Sequence, residues 1–304
     1  MSDNIYQKIW EADQLHAGLR AISKERASAD MLERHRDSGY VIVNENYREG
    51  RKLRLIEHVH IPEHKQKSYE FVRKLFDNYT LYESFDEVND FSEWHEVHSY
   101  LHHIYLSPPM QAARDHLSQK MSQHYSDDQW WELIRQTWFC QFTDNDYKRD
   151  LSGFEHVLVG EHKSGNRQIS GYHFWYKYFC DENFEIDGET RDLIDVLEDQ
   201  TMAGDDTPDV VTMKYRWHAY CHQTGTFTTL TKNQGGFWVG PSAEALMAMG
   251  LVRFHDQAEE PEIAEINGYQ YLLCLHTSRN GKHIRTFYPV MRNPAHYEKP
   301  VCDY

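Results

Sequence analysis

The sequence predicts an α+β protein in which a helical N-terminal region packs on a β-rich C-terminal half. Two observations carry this. Before about residue 150 the apolar residues recur at helical spacing, and after it short β-branched and aromatic runs follow one another with only two helices between them. In order, Ile5, Ile9, Trp10 and Leu15 share a helical face, and residues 25–64 are polar and irregular around one apolar alternation, Tyr40-Val41-Ile42-Val43. Tyr69 to Phe76 restores a helical stripe. Ser126-Asp127-Asp128 opens a further helix whose early acids suit the helix dipole and whose face continues through Trp130, Ile134 and Trp138. The polar run Thr143-Asp144-Asn145-Asp146 marks a boundary near 145–150, dividing the chain into 1–148 and 149–304. Beyond it, strands are expected at 154–160 and 169–172, flanking the hairpin signal Ser164-Gly165-Asn166-Arg167, and then at 210–217, 226–230, 236–239, 269–275 and 283–290. One helix follows His173, and another begins at Ser242, a good N-cap.

The 304 residues carry 32 Lys+Arg against 48 Asp+Glu, a net charge of −16. That balance disfavours holding nucleic acid by bulk charge and leaves room for a local basic pocket. Aromatic residues, 14% of the chain, supply the surface for a core. No apolar run reaches the length of a membrane span, and Met1-Ser2-Asp3-Asn4 shows no basic-then-apolar leader. The five cysteines are scattered with no CxxC pair, so reduced thiols and a cytoplasmic location are expected, with neither a disulfide scaffold nor a thiolate zinc site.

Among the 20 histidines, His95, His98 and His102 share a helical face, but Trp94-His95-Glu96-Val97-His98 is one residue short of HExxH, the spacing that sets two imidazoles around zinc. A polar helix face is the expected reading there. Phe154 to Glu161 is more informative, with one imidazole and two carboxylates in a strand's length. If the run is extended, Glu155 and Glu161 share a face and His156 takes the other. A hairpin then returns to Ser170 through Trp175, which lets His156 and His173, 17 positions apart, converge. His173 precedes an aromatic helical run, where backbone N–H groups attract anions such as phosphate. From the residues alone, one histidine in the core and one on the surface accounts for the pair equally well.

The strings Gly-Phe-Glu-His-Val-Leu-Val-Gly-Glu (153–161) and Ile-Ser-Gly-Tyr-His-Phe-Trp (169–175) resemble the paired-histidine signature of the EndoU (XendoU-like) family of uridylate-preferring endoribonucleases. Lys232 to Ser242, leading into Ala243-Glu244-Ala245-Leu246, is similar to its lysine motif. Arg285-Thr286-Phe287-Tyr288-Pro289-Val290 is similar to its terminal strand, and Ile9 to Asp13, Leu75 to Tyr79 and Trp138-Phe139 extend the likeness over nearly the whole chain.

The resemblance implies a catalytic domain, 149–304, with two antiparallel sheets. It implies cleavage of single-stranded RNA at or near uridines, the ribose 2′-hydroxyl attacking phosphorus to leave 2′,3′-cyclic phosphate and 5′-hydroxyl ends. The triad it implies is His156, His173 and Lys232, with His173 as base, His156 as acid and the lysine beside the charged phosphorane. Lys214 is a rival that fits the motif spacing less well. Tyr288 would stack on the nucleoside, with Gly236, Ser242 and Arg285 at the substrate. Several members carry Ser or Thr where this chain has Gly236, so uridine preference is relaxed or supplied elsewhere. Glu155 and Glu161 match carboxylates of the family's motif and either orient the triad or hold Mn²⁺, an activator not required for the chemical step; salt bridges with Lys163 or Arg167 account for them nearly as well. Arg279, Lys282, Arg285 and Arg292 are expected as a basic groove beside Tyr288, and the stretch from Trp217 to Lys232 as an extended hairpin at its rim. A monomer is expected. A non-cleaving RNA-binding protein on the same fold and a nuclease toxin or defence effector are the alternatives.

Overall fold

The structure is a computed structural model, describing residues 4–44, 54–87, 90–144, 150–163, 165–199, 210–256 and 262–291. The N-terminal half is helical, as its periodicity predicts. Helix α1 (Ile5–His16) buries Ile5, Ile9 and Trp10 and starts at Asn4, whose side chain accepts from the Gln7 N–H. After α2 (Ala29–Arg34), α3 (Glu63–Lys74) leads to α4 (Phe91–Ile104), α5 (Pro108–Lys120) and α6 (Asp127–Trp138). Both α4 and α6 open with capping boxes, Asp90 with Glu93 and Ser126 with Gln129, each satisfying two N–H groups that a helix start leaves free. The polar stretch 25–64 holds more order than its composition suggests: β1 (Arg20–Ser23) pairs parallel with β2 (Tyr40–Val43), which pairs antiparallel with β3 (Ile56–His60).

In the C-terminal half the run expected as a strand at 154–160 is a π-helical turn, Glu155–Val159, buried at every position. Alternation along a strand presupposes one solvated face, and this segment has none. It is followed by β4 (Glu161–His162), β5 (Ile169–Ser170), α7 (Trp175–Glu182), β6 (Phe184–Ile186), β7 (Glu189–Arg191) and β8 (Ile194–Asp199). The runs expected separately at 226–230 and 236–239 are one strand, β10 (Thr226–Trp238), which is antiparallel to β9 (Val210–Cys221) and carries a register shift between Lys232 and Gly235. Helix α8 (Ala243–His255) then leads to β11 (Glu262–Ile266), β12 (Tyr269–Thr277) and β13 (Ile284–Met291). Two three-stranded antiparallel sheets have strand orders β10-β9-β8 and β11-β12-β13, and β4-β5 and β6-β7 form two-stranded antiparallel pairs.

Helix α8 is buried from Ala243 to Arg253, and α1, α5 and α6 pack against it, so apolar residues of both halves share one core. The Trp138 indole N–H donates to the Met247 carbonyl across that contact (3.1 Å). Residues 145–149, where the boundary was expected, lie outside the described residues. Among the described residues no helix is long and apolar enough to cross a membrane. The thiol expectation needs correction: Cys140, Cys180 and Cys221 are free, but Cys274 is disulfide-bonded. Disulfide partners separated along the chain leave no spacing signal.

Candidate active site

The two histidines are brought together by backbone geometry. The π-turn closes through the Gly160 N–H on the Glu155 carbonyl (2.9 Å). The chain returns through Gly171, whose φ of +66° lies in the left-handed region and whose missing Cβ would stand 1.8 Å from the His156 carbonyl oxygen. Only glycine passes there. The approach lets the Tyr172 N–H donate to the His156 carbonyl (2.8 Å) and the His173 N–H to that of Val157 (2.7 Å). Lys232, just ahead of the β10 bulge, donates from Nζ to the Gly171 carbonyl (2.7 Å). All three side chains line a cleft of about 670 Å³ where β10 faces β13, together with Gly236, Thr286 and Tyr288.

The imidazoles meet different partners. His173 is held from Nδ1 by the Gly236 carbonyl at 2.9 Å. A carbonyl only accepts, so Nδ1 carries the proton and Nε2 the lone pair. Burial, with the Lys232 and His156 charges adding, holds the His173 pKa well below the ordinary histidine range. His156 donates from Nδ1 to Glu161 Oε1 (3.0 Å), an anion that favours the imidazolium. Burial lowers the Lys232 pKa to about 8, with Lys163 adding to the effect and Glu161 opposing it. The Tyr288 ring stacks on His173, with centroids 4.6 Å apart and planes inclined by 17°.

Several residues expected at the substrate stand elsewhere. Ser242 is 1% exposed, caps α8 by accepting from the Ala245 N–H (3.2 Å), and donates its hydroxyl proton to buried Asp13 (2.5 Å). Arg285 is 3% exposed and belongs to the layer behind the cleft. Along β13 successive side chains alternate, so Thr286 and Tyr288 face the cleft while Arg285 and Phe287 point inward. Arg279 and Lys282 sit in the β12–β13 turn, where the Arg279 N–H bonds Asp144, and Arg292 lies outside the described residues. The tip of the β9–β10 hairpin reaches Tyr79 through Gln223, away from the cleft rim. Lys214 does not line the cleft.

Two residues escaped the sequence reading. Thr286 lines the cleft with its hydroxyl buried and without a hydrogen-bond partner, and its i, i+2 relation to Tyr288 was the available signal. Glu83, in the loop after α3, is fully buried against Arg285, and nothing in that loop marks it.

Glu155 and Glu161 are both buried. Burial raises the Glu155 pKa well above the carboxylate range, with Glu161 and Glu87 reinforcing it and Arg285 opposing. Among the described residues, the three metal-type side chains whose ligand atoms lie within 4.8 Å of one another are Glu83, His156 and Glu161, without Glu155. The Arg285 guanidinium already bridges the two carboxylates of that group, at 3.0 Å from Glu161 Oε1 and 2.9 Å from Glu83 Oε1. Arg285 occupies Oε1 of each, whereas Oε2 of Glu155 and Oε2 of Glu161, the two carboxylates expected at Mn²⁺, are buried without a hydrogen-bond partner.

An α+β chain with two imidazoles and an ammonium group converging on one cleft suits proton-transfer chemistry on a charged centre. The profile of the family described as Endoribonuclease XendoU matches residues 2–289, so the chain belongs to that family of RNA-cleaving enzymes. It is 29% identical over 227 residues to uridylate-specific endoribonuclease C of Danio rerio, covering 73% of this chain and 67% of that one. It is 24% identical over 303 residues to poly(U)-specific endoribonuclease-A of Xenopus laevis, covering 96% and 95%. A solved structure of XendoU, described as a splicing-independent snoRNA processing endoribonuclease, superposes with a TM-score of 0.66 at 22% identity, over 95% of both chains.

Proposed function

We propose that this chain cleaves single-stranded RNA at or near uridines, with His173 as general base, His156 as general acid and Lys232 as the charge beside the phosphorane. The observation that carries the assignment is the contrast at the two Nδ1 atoms. A carbonyl on His173 leaves Nε2 ready to take the 2′-hydroxyl proton, and a carboxylate on His156 favours the protonated ring that the departing 5′-oxygen needs. The 2′-oxygen then bonds phosphorus, the bond to the 5′-oxygen breaks, and the products are a 2′,3′-cyclic phosphate and a 5′-hydroxyl. The names of the Danio and Xenopus relatives support the uridine preference. In this chain Gly236 offers no hydroxyl, and Thr286, whose hydroxyl is buried without a partner, lines the same cleft as Tyr288, on whose ring a base would stack.

Cleavage of defined oligonucleotides, with the product ends mapped, tests the reading. His156→Ala, His173→Ala and Lys232→Ala are each expected to lose most cleavage while keeping the fold. Full activity of purified His173→Ala protein would refute the roles. Binding without cleavage by the unaltered chain would favour an RNA-binding protein on the same fold. Toxicity on expression, relieved by Lys232→Ala, would favour an effector.

We propose Mn²⁺ as an activator with no part in the chemical step, and Glu155 and Glu161 as the carboxylates nearest in kind to a site for it. A chain of net charge −16 repels RNA, and a divalent cation screens both partners. Spermidine is therefore expected to replace Mn²⁺ as a screen, and loss of activity that only Mn²⁺ restores would overturn this in favour of the carboxylate site. The monomer proposal is tested by light scattering. The Cys274 disulfide weighs against the cytoplasmic location expected from the sequence, and cell fractionation tests it.

A further inference from the structure

We propose that Arg285 is a positioning residue: clamped by Glu83, it fixes Glu161 against His156 and supplies the positive charge that this buried carboxylate cluster needs. The inference rests on the reading of His156 as the acid.

Three distant parts of the chain meet at this point. Glu83 comes from the loop after α3, Glu161 from β4 and Arg285 from β13, and all three are buried. Glu161 Oε1 is shared: it accepts from Arg285 Nη1 at 3.0 Å and from His156 Nδ1 at 3.0 Å. Any displacement of the guanidinium therefore moves the atom that orients the imidazole. The second arm of the fork, Nη2, is held by Glu83 Oε1 at 2.9 Å, which fixes the plane of the guanidinium.

Charge demands the same arrangement. Glu155 and Glu87 stand close enough to act electrostatically on each other and on Glu161. Without the guanidinium these buried carboxylates would face one another with no cation hydrogen-bonded among them. Arginine stays charged at any pH the enzyme meets, and its planar fork reaches two carboxylates at once. Lysine, a point donor, cannot hold both in one plane. Arg285 is buried behind the cleft, so it reaches the reaction through the carboxylates it holds, and through Glu161 to His156.

The test uses the leaving group. RNA expels a 5′-alkoxide and needs an acid, whereas a uridine 3′-(4-nitrophenyl phosphate) ester expels a much weaker base and does not. Arg285→Lys and Glu83→Gln, both close in volume, are to be compared with His156→Ala on both substrates. Expected for RNA is a kcat lowered about 10²-fold, the scale of a misplaced catalytic group, with KM within about twofold. On the nitrophenyl ester both variants are expected to recover to within a few-fold of the unaltered enzyme, as His156→Ala should.

Two results overturn the proposal: RNA cleavage unchanged in both variants, or equal losses on both substrates. If one variant fails to fold by circular dichroism, the other decides. If His156→Ala itself loses as much on the ester as on RNA, the acid assignment fails first, separately from any result at Arg285.

Discussion

Adding one methyl group at Gly171 tests how the histidines are held apart and together. In Gly171→Ala the new Cβ would stand 1.8 Å from the His156 carbonyl oxygen, and real Cβ contacts essentially never fall below 3.0 Å, so the backbones must separate by about 1.2 Å. The hydrogen bonds that set the spacing, Tyr172 N–H to the His156 carbonyl and Lys232 Nζ to the Gly171 carbonyl, are stretched by the same movement. A non-glycine residue at positive φ costs about 1–2 kcal/mol, which for a chain of this size lowers Tm by roughly 1.5–3 °C. A shift of about 1 Å between reacting groups costs roughly 10²-fold in rate. We therefore expect a folded protein, a few degrees less stable, with kcat on a uridine oligonucleotide down about 10²-fold. Thermal unfolding and steady-state kinetics on one preparation check both numbers. A Gly171→Ala enzyme with unchanged kcat would refute the idea that this contact sets the catalytic spacing.

Other expectations follow from the same geometry. Thr286→Val removes the buried hydroxyl in the cleft at constant volume, and discrimination of uridine from other nucleosides should fall by about 5- to 150-fold in kcat/KM, the range of about one to three kcal/mol for a lost polar contact; unchanged discrimination would remove Thr286 from base reading. Because Lys232 is lowered to about 8, its charge is lost as pH rises through that value, so activity should decline above about pH 8. Lys232→Arg should carry its residual activity to higher pH, and a decline at the same pH would assign that limb to another group. His173 titrates well below its ordinary value, so the neutral base persists as pH falls through the usual histidine range. An acidic limb at or above pH 6.5 would contradict this. Burial raises Asp13 from 3.8 to about 7. Its folded pKa exceeds its unfolded one, so its contribution is present below about pH 4 and lost as pH rises through about 7. Asp13→Asn should flatten that decline in urea midpoints measured from pH 4 to 8.

Periodicity made the helices visible because each presents one apolar stripe to a shared core. Tyr69, Trp130, Ile134 and Trp138 are buried where their spacing places them. The π-turn was invisible for the opposite reason: Val157, Leu158 and Val159 are all buried, and a wholly apolar run carries no period. The β1–β3 sheet was hidden because its strands have only four or five residues each. At the cleft, the residues brought to Lys232 by local motif were legible, and those that depend on strand alternation were legible only after register was known. Arg285 and Thr286 are neighbours in sequence, and Thr286 stands in the cleft where Arg285 was expected for that reason.

What no local pattern supplies is the difference between the two histidines. Both are buried, both lie beside apolar neighbours, and nothing adjacent to either names its role. The difference comes from one atom at each Nδ1. The Gly236 carbonyl, 63 positions away on β10, is available because the bulge ahead of it turns the strand toward His173. The Glu161 carboxylate, five positions from His156, reaches back only because the intervening residues wind as a π-turn instead of extending as a strand. A neutral acceptor leaves the first ring able to take a proton, and an anion inclines the second to give one. On the proposed roles, acid and base are set by fold geometry, and a single substitution at Glu161, Glu161→Gln, should weaken acid function while leaving the base untouched. On the nitrophenyl ester, where no acid is needed, that variant should cleave as the unaltered enzyme does; a loss there would place Glu161 in the service of both histidines.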